Sequence, residues 1–122
     1  MSQLPQNWNT SAAVGSEWAQ TFTLSNNGVP VDLTGWTWEF VIRPDVEDQT
    51  ANPLVKVTMT SGSQGQITVV PTTGTVTVTL TPAATAALGT GFKTHALYAN
   101  PGTTTQACWV AGIFNAQATA AP

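Results

Sequence analysis

The chain has 122 residues, enough for one domain that buries a hydrophobic core of its own. Only 7% of the residues are charged and no apolar run approaches the length of a membrane-spanning helix, which excludes a charge-rich disordered chain and a helical membrane span. Three Lys and Arg against six Asp and Glu give a net charge of −3, too few cations to neutralise a nucleic-acid backbone.

The N-terminal part of the chain predicts an extended segment followed by a strand. Residues 1–16 show no sustained hydrophobic period, so we expect an extended arm in which Trp8 stands alone as a large apolar group. Over residues 18–24, apolar and polar side chains alternate with the period of two that a strand requires. Pro30 cannot donate a ladder hydrogen bond, so the segment after the turn at Gly28 is expected to be an edge strand or a loop.

The clearest strand pattern covers residues 36–43, where a large apolar side chain occupies every second position. This face is expected to centre the core because aromatic and β-branched residues fit a half-buried pleated surface. Residues 44–52 follow as a polar loop without an apolar period. The large apolar residues of the strand are Trp36, Trp38, Phe40 and Ile42.

The second half of the chain predicts further strands and one short helix. Thr81 as N-cap, Pro82 at the first helical position and Gly89 as terminator predict a helix that ends at Leu88. An Asn-Pro-Gly turn at residues 100–102 predicts a hairpin between the last two strands. Further strands are predicted over residues 54–59, 66–70, 75–80, 92–99 and 106–116.

These elements predict an all-β protein. Seven or eight short strands separated by turn signals, with one short helix, favour a single antiparallel, Ig-like β-sandwich over residues 17–116. The predicted boundaries leave an extended N-terminal arm at residues 1–16 and a tail of small residues at 117–122. A small barrel is the alternative architecture.

The residues that carry acid, base or nucleophile chemistry are too few to predict an enzyme. His95 shares its predicted strand face with Lys93 and lies opposite Phe92, so we expect a solvent-facing or hydrogen-bonded histidine. Cys108 is expected to be a small buried hydrophobic residue because no histidine adjoins it to lower its pKa. We therefore predict no catalytic residue and no enzymatic activity.

Metal and cofactor sites are also not predicted. Zinc needs three or four clustered ligands, and the chain has one histidine and one cysteine. Asp45, Glu47 and Asp48 lack the spacing of a calcium loop and are expected to be solvated. Glycine patterns that cradle a phosphate or a dinucleotide are absent, so no cofactor is expected.

The five tryptophans are the other candidate functional residues, since Trp is enriched at interfaces. Trp18, Trp36 and Trp38 alternate with polar residues and are expected in the core. Trp109 is expected to pack either inside the domain or against a neighbour. Trp8 lies in a segment without a fold of its own, so we expect it to dock into another chain. A carbohydrate site would need several exposed rings on one face.

The first residues of the chain and its cysteine content indicate the cellular compartment in which it folds. The first residues lack the basic and apolar blocks of a secretory signal. A single cysteine, Cys108, excludes an intrachain disulfide. We therefore expect the chain to be made and folded in a reducing cytosol.

Several short segments, in this order along the chain, carry a resemblance to a known family. The most specific segment runs from Gly28 to Gly35, G-x-P-V-D-L-T-G, and is followed by an aromatic strand that ends in Arg43. The order resembles small β-sandwich proteins of tailed bacteriophages, in particular the amino-terminal domain of baseplate upper proteins, over residues 17–115. The other matching segments are Phe22-Thr23-Leu24, Phe40-Val41-Ile42, Leu80-Thr81-Pro82, Thr85-Ala86-Ala87-Leu88, Gly91-Phe92 and Val110-Ala111-Gly112.

The roles that the resemblance implies are structural. Gly28 and Gly35 would supply turn conformations, and Leu33 would anchor the start of the strand. Arg43 would close the strand, and Asp32 belongs to the same turn motif. The motif contains no catalytic residue, so the resemblance implies a protein that acts through its surface.

The function implied by the resemblance is a structural part of a virion. We expect a tail, baseplate or fibre-attachment module that works in a symmetric homo-oligomer and is assembled in the host bacterial cytoplasm. Its expected partners are other virion proteins, and we expect it to bind neither nucleic acid nor membrane. Low charge agrees with this, because a soluble surface normally carries about 25–35% charged residues and a weakly charged one resists association poorly. The alternatives are a capsid decoration protein and a carbohydrate or host-receptor binding module.

Overall fold

The computed structural model describes residues 6–45 and 53–119. Within these residues the chain is all-β with one α-helix, as the alternation predicted. The strands are β1 (Gln6–Asn7), β2 (Thr10–Ala13), β3 (Trp18–Thr23), β4 (Ser25–Asn26), β5 (Val29–Pro30), β6 (Trp38–Arg43), β7 (Val55–Thr58), β8 (Gly65–Val70), β9 (Thr75–Leu80), β10 (Gly91–Ala99) and β11 (Ala107–Gln117). The helix is α1 (Pro82–Leu88), and Pro71–Thr73 form one 3-10 turn.

The strands form two main sheets and a short ribbon. The larger sheet has the order β1-β11-β10-β6-β7, with β2 also paired to β11. The smaller sheet has the order β3-β9-β8, and β4 and β5 form a two-stranded ribbon. Pairing is antiparallel except for β1 and β2, which both run parallel to β11.

The core lies between the two main sheets, because the buried side chains of both belong to one hydrophobic cluster. In β6 the buried face is Trp38, Phe40 and Ile42, the aromatic face that the alternation predicted. In β9 the valines and the leucine are fully buried and the threonines occupy the opposite face. The period of two in each sequence thus sets which side of the strand faces the core.

The helix has the boundaries that its capping residues predicted. The Thr81 hydroxyl accepts a hydrogen bond from the Ala84 backbone N–H at 3.2 Å, and Pro82 begins the helix. Gly89 follows Leu88 with a φ of +66°, a conformation that glycine adopts without a steric penalty. Ala84 and Leu88 are buried in the core cluster, so one face of the helix packs against the core.

The N-terminal segment differs from the prediction of a separate arm. Residues 6–13 are extended, but they belong to the larger sheet, where β1 and β2 cover the free side of β11. Backbone bonds outside the ladder continue this pairing, from Trp8 N to Ala111 O and from Val14 N to Gln117 O, both at 2.9 Å. The physical reason is that β11 would otherwise present a row of unpaired backbone groups. These two strands and the β4–β5 ribbon bring the number of strands in the described part to eleven, above the seven or eight predicted.

Candidate functional site

The glycines of the turn motif hold conformations that other residues rarely adopt. Gly28 has a φ of +80° and Gly35 a φ of +83°. Between them Leu33 is only 1% exposed and belongs to the core cluster. Arg43 is the last residue of β6 and is half-buried. These positions form a scaffold that leads the chain into the central strand.

Asp32 has a local structural role in the same motif. Its Oδ1 accepts hydrogen bonds from the Thr34 backbone N–H at 3.0 Å and from the Thr34 hydroxyl at 2.6 Å. These two bonds hold the pKa of Asp32 below its ordinary value, since they favour the charged form of the carboxyl. The carboxylate therefore closes an Asx turn, which is a structural role.

Trp8 packs against its own domain rather than standing alone, and its docking into another chain stays a prediction. Its ring meets Phe22 edge-on with centroids 5.1 Å apart, and it lies 6.3 Å from the ring of Trp18. A third contact places it edge-on to His95 at 5.6 Å. The partners of Trp8 are therefore aromatic side chains of the folded domain, none of which is close to it in the sequence.

His95 is buried. It shares the core face of β10 with Leu97 and Ala99, whereas Phe92 lies on the other face and is 72% exposed. Of the two predicted environments, the hydrogen-bonded one is present. Its Nε2 donates to the Trp8 carbonyl oxygen at 2.7 Å, and its ring stacks on Phe40. Burial lowers the pKa of His95 and outweighs the opposing effect of the Trp8 bond, so the ring is neutral at neutral pH.

Gly112 allows this contact, and sequence reasoning missed it. A Cβ atom at Gly112 would lie 2.1 Å from the Trp8 carbonyl oxygen and 2.8 Å from Asn9 Oδ1. The same Asn9 oxygen accepts a hydrogen bond from the Ile113 backbone N–H at 3.0 Å. The signal that could have revealed this feature is a glycine inside a strand, which often marks a close backbone approach.

The cysteine is not an activated nucleophile. The Cys108 thiol is half-buried and donates to the Val110 carbonyl oxygen at 3.4 Å. Burial raises the pKa of this thiol, so it is protonated at neutral pH. Only a thiolate attacks efficiently, so the site has little nucleophilic character.

Metal-binding groups do not cluster in the described part of the chain. Among residues 6–45 and 53–119, no three His, Cys, Asp or Glu side chains come together as a metal ion would require. Of the three loop acids considered for calcium, Asp45 is exposed, whereas Glu47 and Asp48 lie outside the described residues.

Three tryptophans form a row from the core to the surface. Trp38 is buried, Trp36 stacks on it with centroids 5.9 Å apart, and Trp109 lies 6.2 Å beyond Trp36. Trp36 and Trp109 are both half-buried, so each ring is partly open to solvent. Of the three rings expected in the core, Trp18 and Trp38 are buried, whereas Trp36 is only half-buried. Trp36 and Trp109 thus form an aromatic patch at the surface, and the patch packs on the buried ring of Trp38.

The smaller sheet presents an uncharged face with an open edge. Neither β3, β8 nor β9 contains a charged residue, and threonines line the outer side. Across this face the hydroxyls of Thr21 and Thr77 are hydrogen-bonded at 3.0 Å. Within the described residues β3 pairs with β9 on one side only. Low charge was visible in the sequence, but the position of β3 at an edge depends on the sheet order.

No protein-family model and no curated protein sequence matches this chain. Within the described residues no helix is long and apolar enough to cross a membrane. The described residues form an all-β protein with an uncharged open edge and an aromatic patch, and these two surfaces are the candidates for function.

Proposed function

We propose that the chain is a non-enzymatic structural protein of a tailed-bacteriophage virion. In this proposal the two main sheets form an Ig-like β-sandwich module that attaches tail, baseplate or fibre components through protein–protein interfaces. The module works in a symmetric oligomer of the particle rather than as a free monomer.

The observation that carries this proposal is the unprotected edge strand β3. Natural proteins normally protect an edge strand with charged residues, proline or a bulge, since a bare edge invites pairing with another chain. The six residues of β3 contain neither a charge nor a proline, and they pair with β9 in register without a shift. Ala19, Thr21 and Thr23 are exposed along this strand. A neighbouring protein that adds a strand or lays a loop here would cover the edge.

The sequence supports a virion as the place of this interface. The turn motif from Gly28 to Gly35 and the segments around it resemble small phage β-sandwich proteins over residues 17–115. A chain with only 7% charged residues is poorly protected against association when it is free in solution. Permanent assembly removes that difficulty because the uncharged surface is covered.

A charged edge tests the proposal. The double variant Ala19→Lys, Thr23→Lys places two ammonium groups on exposed positions of β3, and burying an unpaired charge in an interface costs several kcal/mol. We expect the variant to fold and to be incorporated into particles at least about tenfold less than the wild-type chain. Thr72→Lys, at an exposed position of the 3-10 turn, is the matched control and should be incorporated normally.

Particles purified from a complemented deletion strain give the measurement, with the chain quantified relative to the major capsid and tail-tube proteins. Incorporation of the double variant at the level of the Thr72→Lys control would contradict the edge as an interface. Absence of the wild-type chain from purified particles would contradict the virion function itself. Recovery of the chain with heads rather than tails would identify a capsid decoration protein.

A further inference from the structure

A pocket of about 880 Å³ opens between the segment that leads into β6 and the hairpin that joins β10 to β11. Its volume lies within the range of about 300–1,000 Å³ that small-ligand sites occupy. None of the side chains that line it is charged. The lining includes Trp36, Asn100, Thr104, Gln106 and Trp109.

Two tryptophans give this pocket a firm aromatic wall. Trp36 and Trp109 both line it, with their ring centroids 6.2 Å apart and their planes at 37°. Trp36 is held in place because it stacks on the buried ring of Trp38. The apolar C–H face of a pyranose ring packs well on such an aromatic surface, while its hydroxyls stay free to bond elsewhere.

The polar groups of the pocket are fixed donors. The Asn100 Oδ1 atom accepts a hydrogen bond from the Thr37 backbone N–H at 3.0 Å, and Gln106 Oε1 accepts from the Gly102 backbone N–H at 2.7 Å. With each amide oxygen bonded to the backbone, each side-chain NH₂ group is left to donate to a ligand. Because the two side chains are already ordered, less conformational entropy is lost when a ligand binds.

The Trp109 indole is set apart by its ring nitrogen. Its Nε1 atom is buried and has no acceptor among the described residues, which is rare for a buried polar group. An aromatic wall, hydroxyls and amide donors together match a ligand that is rich in hydroxyls.

We propose that this pocket binds a neutral saccharide. An uncharged lining offers no partner for the charge of a phosphate, a carboxylate or an ammonium group, so charged ligands would lose hydration without compensation. No residue of β3 lines the pocket, so the saccharide site goes beyond the interface proposed above and stands or falls separately.

Binding of short oligosaccharides to the purified full chain tests the site. The probes are the neutral sugars maltotriose, chitotriose and cellotriose, with sialyllactose as the charged comparison, followed by calorimetry and by tryptophan fluorescence. We expect at least one neutral sugar to bind with a change in tryptophan emission and sialyllactose to bind at least about tenfold more weakly.

Three variants locate the bound sugar. Gln106→Ala should weaken binding about tenfold, since it removes one hydrogen-bond donor. Trp109→Phe should weaken binding because the smaller ring removes part of the aromatic wall. Thr104→Ala, at an exposed position of the same pocket, should weaken it with the least risk to folding. Gln117→Ala removes an exposed glutamine outside the pocket and is the matched control.

The proposal is overturned if none of the three neutral sugars binds the folded chain at millimolar concentration. It is equally overturned if a sugar binds but Thr104→Ala, Gln106→Ala and Trp109→Phe, each folded by circular dichroism, all bind like the Gln117→Ala control. Sialyllactose binding as tightly as the neutral sugars would contradict the charge argument. None of these results changes the expected loss of incorporation of the β3 edge variant, so the two proposals fail separately.

Discussion

Gly112→Ala should release the N-terminal strands from the domain. Gly112 does not need a glycine for its own backbone conformation, so the cost comes from the close approach of Trp8 alone. The added Cβ would lie 2.1 Å from the Trp8 carbonyl oxygen, which must therefore retreat by at least about 1.3 Å to reach the 3.4 Å of an ordinary van der Waals contact. That retreat breaks the 2.7 Å hydrogen bond from His95 Nε2.

The expected loss of stability follows from the groups left unpaired. A buried donor without an acceptor, here His95 Nε2, costs about 1–3 kcal/mol. The bond from Ile113 N to Asn9 Oδ1 is disturbed by the same methyl group and contributes about 1 kcal/mol. We therefore expect the free energy of unfolding to fall by about 2–4 kcal/mol.

Urea unfolding of the wild-type and variant chains measures this loss, and amide hydrogen exchange locates it. Exchange at Trp8 N and Ile113 N should accelerate, because both amides are hydrogen-bonded across this junction. Gly62→Ala is the matched control, since its Cβ would meet nothing closer than 4.0 Å. A change below about 0.5 kcal/mol in Gly112→Ala, with both amides still protected, would refute the reasoning.

Three further predictions concern single side chains. Burial lowers the pKa of His95 below 6.5 in the folded chain, so the unfolded chain binds the proton first as the pH falls. The free energy of unfolding should therefore decline below about pH 6.5, and less steeply in His95→Gln. Identical urea-unfolding profiles of the two chains from pH 5 to 8 would contradict this. Thr85→Val should lower the free energy of unfolding by about 1–3 kcal/mol, because the buried hydroxyl accepts a hydrogen bond from Gly15 N and donates one to the Ser16 carbonyl. Thr68→Val, at an exposed position, should change it by less than about 0.5 kcal/mol. Equal effects of the two substitutions in urea unfolding would refute the role of these hydrogen bonds. Cys108 should react slowly with iodoacetamide at pH 8 in the native chain and rapidly in urea, because burial raises the pKa of its thiol; equal rates would show an exposed thiol.

Elements with local signals could be predicted from the sequence. The capping hydroxyl of Thr81, the proline after it and Gly89 set both ends of the helix within a few positions. The central strand was equally clear, since Trp38 and Phe40 occupy alternate positions and both belong to the core. In both cases the energetics depend on neighbours that are close in the chain.

The N-terminal strands could not be predicted in the same way. Residues 6–13 pair in parallel with β11, about a hundred positions away, and nothing near them in the chain signals that pairing. Trp8 did stand out as an isolated aromatic residue, but its partners Trp18 and Phe22 come together only in the folded sheets. Long-range parallel pairing therefore turned an expected arm into part of the domain.

The face of β10 shows why a period can mislead. Apolar residues occupy both faces of this strand, with Phe92 and Tyr98 on one and Leu97 on the other, so alternation alone does not choose the core face. The bulge between Leu97 and Tyr98 further changes the register with β11. In the folded chain the face with His95 and Leu97 is the buried one, and His95 stacks on Phe40.

The candidate surfaces were only partly visible in the sequence. The scarcity of charge predicted an exposed face that partners cover, but only the sheet order placed β3 at an open edge. Trp109 was recognised as a residue of either the core or an interface, whereas its neighbour Trp36 was assigned to the core. The hairpin places Gln106 in the same pocket as these two rings, although Trp36 lies about seventy positions away from it in the chain.

Quantitative mass spectrometry of purified virions, separated into heads and tails, tests the central claim most directly. The account predicts that the wild-type chain is present in tails at a fixed small multiple of the tail symmetry, relative to the tail-tube protein, and that the Ala19→Lys, Thr23→Lys chain is depleted. Absence of the wild-type chain from both heads and tails, with the folded protein recovered free in the lysate, would contradict the account.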